Sequence, residues 1–391
     1  MRVLHVVPSI RRSSGGPAQS VPQLCRALHG AGVSVELLSF HHHDFESTIS
    51  PSDEAFPVHC FTPFPGSLEF PTLQFYRTLR GNLKQIDIVN LHALWNPVTT
   101  AAAAACRATG TPYVLSPLGM LRNAAVRNKG LKKKLYYRFF DSRTISGAAA
   151  LSFFTEIDAA ESLGNAGQRK PYVLVPNGID PSGREGTEHG RFRAVHHELC
   201  GRRIILFVGR LHQCKNLTLQ LQACALLAKK YTNLAWVLLG PDGGEWKSLS
   251  SEIDRLALTD RVLWMGPQTH QTCMDALADA DVCVLTSHHE GHSMAMNEAL
   301  TIGVPLVLTQ SVGFTSAERA GAALVVPSDA AKLAEVIARI LDDPLLASNM
   351  RTAGTTLVES TFTWPKIATR LISIYEKIIT STPFSEADLR I

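Results

Sequence analysis

Residues 2–38 read RVLHVVPSIRRSSGGPAQSVPQLCRALHGAGVSVELL, and this stretch decides the fold class. Arg2 to Pro8 is a short apolar run ending in a turn, followed by the loop Ser13-Ser14-Gly15-Gly16. Pro17 opens a helical pattern with Val21, Leu24, Ala27 and Leu28 on one face, closed by Gly30 and Gly32. The β-branched run from Val33 to Leu38 completes one βαβ unit.

The same alternation repeats downstream. Strands are expected at 87–91, 113–116, 149–153 and 173–175, with helices at 97–108 and 156–163. From Asn177 to Arg203 the apolar periodicity is lost, which reads as an exposed linker. It restarts with strands at 203–208, 234–239, 262–264, 282–285 and 305–308 and helices at 217–228 and 294–300. Strands separated by helical segments imply parallel sheets covered on both faces. At about 150 residues per domain, a chain of 391 residues divides into two α/β domains, 1–180 and 181–365. An amphipathic helix from Trp364 through Ile367, Leu371, Ile374, Tyr375 and Ile378 leads the tail 366–391, placed to cover one domain or bridge both.

Composition narrows the function classes. With 45% hydrophobic and 18% charged residues, neither disorder nor a multi-span membrane protein fits. The eight Cys stand singly without a CxxC pair, and no secretory segment follows Met1, so a reduced, cytoplasmic chain without structural zinc is expected. The net charge of +4 hides one basic segment: residues 122–143 hold eight Lys and Arg against the single Asp141. Leu131, Leu135, Tyr136, Tyr137, Phe139 and Phe140 interleave with those cations, as on a helix lying against anionic lipid; a solvated helix with an apolar underside is the competing reading. No RNA-reading motif accompanies the charge, so nucleic acid is not an expected partner. His41-His42-His43-Asp44 lacks a second ligand cluster at metal spacing and reads as a loop, and no metal site is expected.

Two constellations follow strands, where open parallel sheets bind ligands. In Phe207-Val-Gly-Arg-Leu-His-Gln-Cys-Lys215, Gly209 permits a tight turn, while Arg210 and Lys215 lie in the strand-to-helix loop and suit a diphosphate. Alone, so short a motif is more often a solvated Arg and Lys. The second is Ser287-His-His-Glu290-Gly-His-Ser-Met-Ala-Met-Asn-Glu298, running on to Gly303-Val-Pro305. Ser293 is placed to cap a helix whose amides suit phosphates. If wholly helical, the eight residues between Glu290 and Glu298 would span about 12 Å, enough to grip both ends of a sugar nucleotide.

Together with Gly15-Gly16, Val175-Pro-Asn-Gly-Ile-Asp180, Leu239-Gly-Pro-Asp-Gly243, Phe362-Thr-Trp364 and Tyr375-Glu376, these motifs resemble the retaining, nucleotide-sugar-dependent glycosyltransferases of family four (group 1). The resemblance runs in order over nearly the whole chain. It implies the GT-B fold, two doubly wound Rossmann-like domains facing across a cleft. Residues 1–180 would form the acceptor side and 181–365 the nucleotide-sugar-binding side, with 366–391 crossing back. It implies transfer of a hexose from a nucleoside-diphosphate sugar to a glycan or lipid-linked acceptor with retention of configuration, in cell-surface polysaccharide biosynthesis. No cofactor or metal is implied.

Residue by residue, the resemblance gives Arg210 and Lys215 the donor diphosphate, with Gly209 shaping their turn, and Glu298 the ribose hydroxyls. Glu290 would lie near the donor sugar, with the backbone of Gly291, His292 and Ser293 around its hydroxyls and phosphate. Gly16 would approach the phosphate from the other domain, and Leu239 to Gly243 with Met265-Gly266 would lie near the base. Many relatives carry His where this chain has Leu118; His92, after the strand 87–91, is the candidate partial substitute on the acceptor side. Leu118 motivates the alternative of a non-catalytic sugar-nucleotide-binding subunit for a partner transferase. A nicotinamide-dependent oxidoreductase is disfavoured, because Ser13-Ser-Gly-Gly-Pro-Ala18 does not supply GxGxxG.

Overall fold

The computed structural model describes residues 1–11, 16–40, 49–63, 70–123, 135–166, 170–288, 290 and 293–390. The chain divides into two compact units, one formed by Met1–Gly178 with Trp364–Ile391 and the other by Ile179–Thr363.

Seven strands build the first unit: β1 (Arg2–Ser9), β2 (Ser34–Phe40), β3 (Val58–Phe61), β4 (Ile88–His92), β5 (Tyr113–Ser116), β6 (Ala150–Phe153) and β7 (Tyr172–Leu174). They pair in parallel in the order β3-β2-β1-β4-β5-β6-β7. Its connections carry α1 (Gly16–Gly30), α2 (Leu73–Asn82), α3 (Pro97–Thr109), α4 (Ser142–Gly147) and α5 (Glu156–Ala166). The second unit opens with α6 (Arg191–Val195) and has six strands: β8 (Arg203–Val208), β9 (Leu234–Leu239), β10 (Val262–Trp264), β11 (Val282–Leu285), β12 (Leu306–Thr309) and β13 (Ala323–Val326). These are parallel in the order β10-β9-β8-β11-β12-β13. Between and after them run α7 (Leu217–Leu227), α8 (Trp246–Arg255), α9 (His270–Asp279), α10 (Met294–Ile302), α11 (Thr315–Arg319), α12 (Ala330–Asp342) and α13 (Pro344–Leu357). The chain then returns to the first unit as α14 (Trp364–Ile379).

Period-two alternation explains why each sheet is covered twice. Leu4 and Val6 of β1 join one core layer with Phe75 and Leu79 of α2 and Val98 and Ala102 of α3. Val3 and Val7, pointing the other way, join a second layer with Val21 and Leu24 of α1 and Ile367, Leu371 and Ile374 of α14. Local signals fix the helix ends. In α3 the Asn96 side chain accepts from Val98 N, Pro97 takes the first turn, and Gly110 closes the helix at φ 76°. In the second unit, Ile205 and Phe207 of β8, Trp236 and Leu238 of β9 and Val282 and Val284 of β11 share one cluster with α7 and α12.

Beyond helices such as α2, α8, α9, α12 and α13, which the sequence reading left unassigned, three features differ from it. β3 and β13 were not expected; both are short, partly exposed outer strands, β3 with His59 breaking its apolar run and β13 only four residues long. The expected linker 177–203 contains α6, held by the Asp279 carboxylate, which accepts from Gly190 N and Arg193 N, and by burial of Phe192. The units divide two residues earlier than the expected 180/181 and 365/366 breaks. Gly178 packs on the Trp364 ring, whereas Ile179 bridges Thr363 and donates to Phe362 O at 2.7 Å.

A Cβ built on Gly178 would stand 2.4 Å from the Trp364 ring. Gly178→Ala is therefore expected to lower the stability of the first unit by about 1–3 kcal/mol through overpacking, read as a lower urea midpoint with unchanged slope. An unchanged midpoint would mean that Trp364 is free to move away.

Candidate functional site

The second sheet reverses its winding between β8 and β11, which pair directly, Val282 with Ile205 and Cys283 with Leu206. At such a point the connections leave toward opposite faces and open a crevice beyond the strand ends. The two constellations singled out in the sequence follow these two strands.

Backbone geometry shapes the first loop. Gly209 N donates to Leu239 O at 2.8 Å, Leu211 N to Pro241 O at 2.9 Å and Gly243 N to Leu211 O at 2.7 Å. A Cβ on Gly240, at φ +138°, would lie 2.0 Å from Gly209 O, so only glycine fits there. This zipped pair of loops leaves Arg210 exposed, its aliphatic stem against Gly243. Lys215 ends a short 3₁₀ turn, and Asn216 starts α7 from the left-handed region at φ 51°.

A buried polar chain ties this loop to the end of β11. Trp236 Nε1 donates to Gln220 Oε1 at 3.1 Å, and Gln220 Nε2 donates to Thr286 Oγ1 at 2.9 Å. The Thr286 hydroxyl donates to the carbonyls of Lys215 at 2.9 Å and Asn216 at 3.1 Å. His288 N donates to Cys214 O at 2.8 Å. Ser287 Oγ donates to Glu290 Oε1 at 2.9 Å, and Ser311 Oγ donates to Ser287 O at 2.6 Å. The result is an ion pair between Lys215 and Glu290, two residues expected to serve different parts of a ligand. Gln220, Thr286 and Ser311 belong to no motif. Their only signals are a Gln amid the leucines of α7 and a Thr-Ser pair at the end of an apolar strand.

Helix α10 follows. Ser293 stands at its N-cap with no side-chain capping bond, so the first-turn amides are not closed off from within. Because α10 starts at Met294, Glu290 lies before the helix, and the 12 Å helical spacing to Glu298 does not apply. Glu298 is mostly buried, with His270 Nδ1 3.5 Å from its Oε1; burial pushes its carboxyl up to about 7. Gly291 and His292 lie outside the described residues, as do His41, His42, His43 and Asp44.

The remaining expected residues belong to the first unit. Gly16 starts α1, and a Cβ there would meet nothing within 4 Å, so packing does not require the glycine. His92 closes β4, fully buried, with Nε2 3.0 Å from His5 Nδ1. Leu118 follows β5 in the left-handed region at φ 56°, an uncommon position for a branched residue. Of the basic segment, 124–134 lie outside the described residues. Arg122 does not face solvent as expected: its side chain is 2% exposed and pairs with Glu161 at 3.1 Å. Farther along, Leu135, Phe139 and Phe140 are exposed, as are Phe70 and Leu73.

All eight cysteines are free thiols. Among the described residues, no group of three or more His, Cys, Asp or Glu could hold a metal ion, and no helix is long and apolar enough to cross a membrane.

Comparison with known proteins supplies independent findings. Residues 190–356 match the family model described as glycosyl transferases group 1, and residues 15–178 match a glycosyl transferase 4-like domain. A D-inositol 3-phosphate glycosyltransferase of Catenulispora acidiphila is 27% identical over 75% of this chain and 72% of its own length. The putative glycosyltransferase EpsF of Bacillus subtilis is 27% identical over 80% and 79%. Among solved structures, Anabaena HepE in complex with UDP superposes with a TM-score of 0.74 at 18% identity, over 96% of this chain and 100% of that one. These likenesses identify the fold as that of the GT-B glycosyltransferases.

Because burial raises Glu298 from its ordinary 4.5 to about 7, the folded state holds its proton where the unfolded chain has lost it. Its contribution to stability is complete below about 4.5 and is lost as pH rises through about 7. Thermal melts of Glu298→Gln against the native chain should show the variant gaining relative stability from pH 4.5 to 7 and levelling off above. A pH-independent difference would contradict the buried carboxyl.

Proposed function

We propose, from the premise that this chain belongs to the group 1 glycosyl transferases, that it moves a hexose from a nucleoside-diphosphate sugar to a hydroxyl of a glycan or lipid-linked acceptor, with retention of configuration. The observation that carries the reading is the meeting of two loops at the β8–β11 reversal: Arg210 and Lys215 from one, Glu290 and the open amides of α10 from the other. A diphosphate is the ligand whose charge and length answer to that set.

Each side chain then has a task. In the transition state negative charge accumulates on the departing diphosphate while the sugar becomes oxocarbenium-like. Fixed cations and amides stabilise that state more than the ground state. The Lys215 ammonium has three donors, so it can keep Glu290 and still reach a phosphate oxygen. Glu290 thereby aims the ammonium and stands beside the donor sugar. Glu298, one turn into α10, would accept hydrogen bonds from the ribose hydroxyls, and the loops at Leu239–Gly243 and Met265–Gly266 would border the base. Retention would follow attack on the face the diphosphate leaves, with a phosphate oxygen taking the acceptor's proton, so no enzyme nucleophile and no metal or cofactor is invoked. UDP is the first nucleotide to try, since HepE was solved with UDP and with UDP-glucose.

The acceptor side of this reading includes an anionic membrane surface at the inner face of the membrane. An apolar groove of about 650 Å³ supports it, lined by Phe70, Tyr136, Phe139 and Phe140 with Arg107 and Arg143. Exposed aromatics beside cations are what an anionic lipid surface selects. Polysaccharide assembly at that surface is the setting in which such a transferase would work. Leu118 is the observation behind a second reading, a sugar-nucleotide-binding subunit without turnover of its own; hydrolysis or transfer of the donor sugar by the pure chain would exclude it.

With UDP-glucose as donor, Arg210→Ala and Lys215→Ala should each lower kcat by about 10²–10³-fold with unchanged thermal unfolding of the ligand-free protein. Rates near those of the native chain in both variants would remove the diphosphate assignment. Phe139→Asp with Phe140→Asp should weaken sedimentation with phosphatidylglycerol vesicles while leaving UDP-glucose affinity intact. Equal sedimentation would leave those aromatics without a membrane role.

A further inference from the structure

Within the first unit a cavity with about 30 Å³ of room lies at the ends of β4, β5 and β6. That is space for a group slightly larger than one water molecule. Asn90, His92, Ser116 and Ser152 line it from the strands, with Leu118 and Trp364 among the apolar walls. No Asp, Glu, Lys or Arg is among the described residues lining it.

His92 is 3% exposed, and its Nδ1 is buried without a hydrogen-bond partner among the described residues. Leaving such a group unmatched is costly, so the atom calls for a ligand. What it can bind depends on which ring nitrogen carries the proton, and we assign that from a buried chain of hydrogen bonds. Ser116 Oγ donates to Asn90 Oδ1 at 3.2 Å, and Asn90 Nδ2 donates to the Tyr375 hydroxyl oxygen at 2.8 Å. Tyr375, on α14, has its hydroxyl 3.5 Å from His5 Nε2, and because that oxygen already accepts from Asn90 we assign its own proton to this contact. His5 then carries its proton on Nδ1 and donates it to His92 Nε2 at 3.0 Å. The remaining proton of a neutral His92 must sit on Nδ1. Burial keeps both rings neutral, pushing His92 down to about 3 and His5 well below its ordinary value, with the neighbouring His92 adding to the latter effect.

We propose that this cavity is a subsite for one neutral hydroxyl-bearing group, such as the hydroxymethyl arm of a sugar or polyol, which accepts a hydrogen bond from His92 Nδ1–H. Tyr375, His5 and Asn90 are positioning residues that fix His92 as a donor. A neutral ligand follows from the lining: an anion would be stripped of water with no cation beside it. The polarity also limits chemistry, because an Nδ1–H cannot take a proton from an attacking hydroxyl. His92 therefore holds an oxygen rather than activating it. None of this depends on the β8–β11 site, so either assignment can fail without the other.

The test uses the full-length protein labelled with ¹⁵N-histidine. Long-range proton–nitrogen correlation should give His92 as the Nδ1–H tautomer, and titration with methyl α-D-glucopyranoside should shift the Nδ1 signal, whereas inorganic phosphate should not. Tyr375→Phe removes the hydroxyl that orients His5, so it should convert His92 to a mixture of tautomers and weaken glucoside binding several-fold, with UDP binding unchanged. His92→Phe should weaken glucoside binding by about tenfold or more, again with UDP binding intact. Circular dichroism and thermal melting of both variants separate these effects from misfolding. Should Tyr375→Phe fail to fold, the native tautomer and the His92→Phe titration carry the decision. An Nε2–H tautomer in the native protein, competition by phosphate, or glucoside binding that ignores His92→Phe would overturn the proposal. A signal that no glucoside concentration moves would reduce the cavity to a water site and overturn it equally.

Discussion

A parallel sheet whose connections cover both faces must reverse its winding somewhere, and at that place two neighbouring strands send their following loops to opposite sides. In this chain the reversals fall between β1 and β4 and between β8 and β11. The residues at the centre of both proposed sites descend from that constraint. His5 and His92 stand on the first pair of strands, and Arg210, Lys215 and Glu290 follow the second. Residues 75 positions apart, Lys215 and Glu290, become an ion pair because β8 and β11 are hydrogen-bonded neighbours.

Both reversals are braced in the same way, by buried side-chain hydrogen bonds rather than by apolar packing alone. In the second unit Trp236, Gln220 and Thr286 reach the carbonyls of Lys215 and Asn216. In the first, Tyr375 joins Asn90 and His5, tying α14 to the sheet beneath it. Such networks hold geometry because removing one partner leaves the others buried and unmatched. A loop that must present a cation to a ligand without collapsing onto it needs that kind of support. Pairing Lys215 with Glu290 serves the same end, since the ammonium keeps a defined direction and retains donors for a phosphate.

Strands inside the second sheet were legible, because Ile204–Val208 and Leu234–Leu239 are unbroken apolar runs. The outer strand β3 was not, since one side of it meets no neighbour and its residues, Val-His-Cys-Phe, are mixed; β13, Ala-Leu-Val-Val, is apolar but only four residues long. Arg210 and Lys215 stood out as cations after an apolar strand, yet the Lys215–Glu290 pairing was invisible, as no spacing rule links residues that meet only through sheet order. Arg122 counted as one cation among eight in the sequence, but an ion pair with Glu161 removes it from the surface. The His5–His92 contact illustrates the same limit. A lone His inside an apolar strand reads as a packing residue until the register sets His5 beside Asn90 and the C-terminal helix brings Tyr375 over it.

The most direct measurement of the central claim is a crystal structure of the chain with UDP-glucose. The account requires the diphosphate beyond the ends of β8 and β11, bonded to Arg210 and Lys215 and to first-turn amides of α10, with the ribose at Glu298. A nucleotide bound elsewhere, or one at that place whose phosphates touch neither cation, would contradict it.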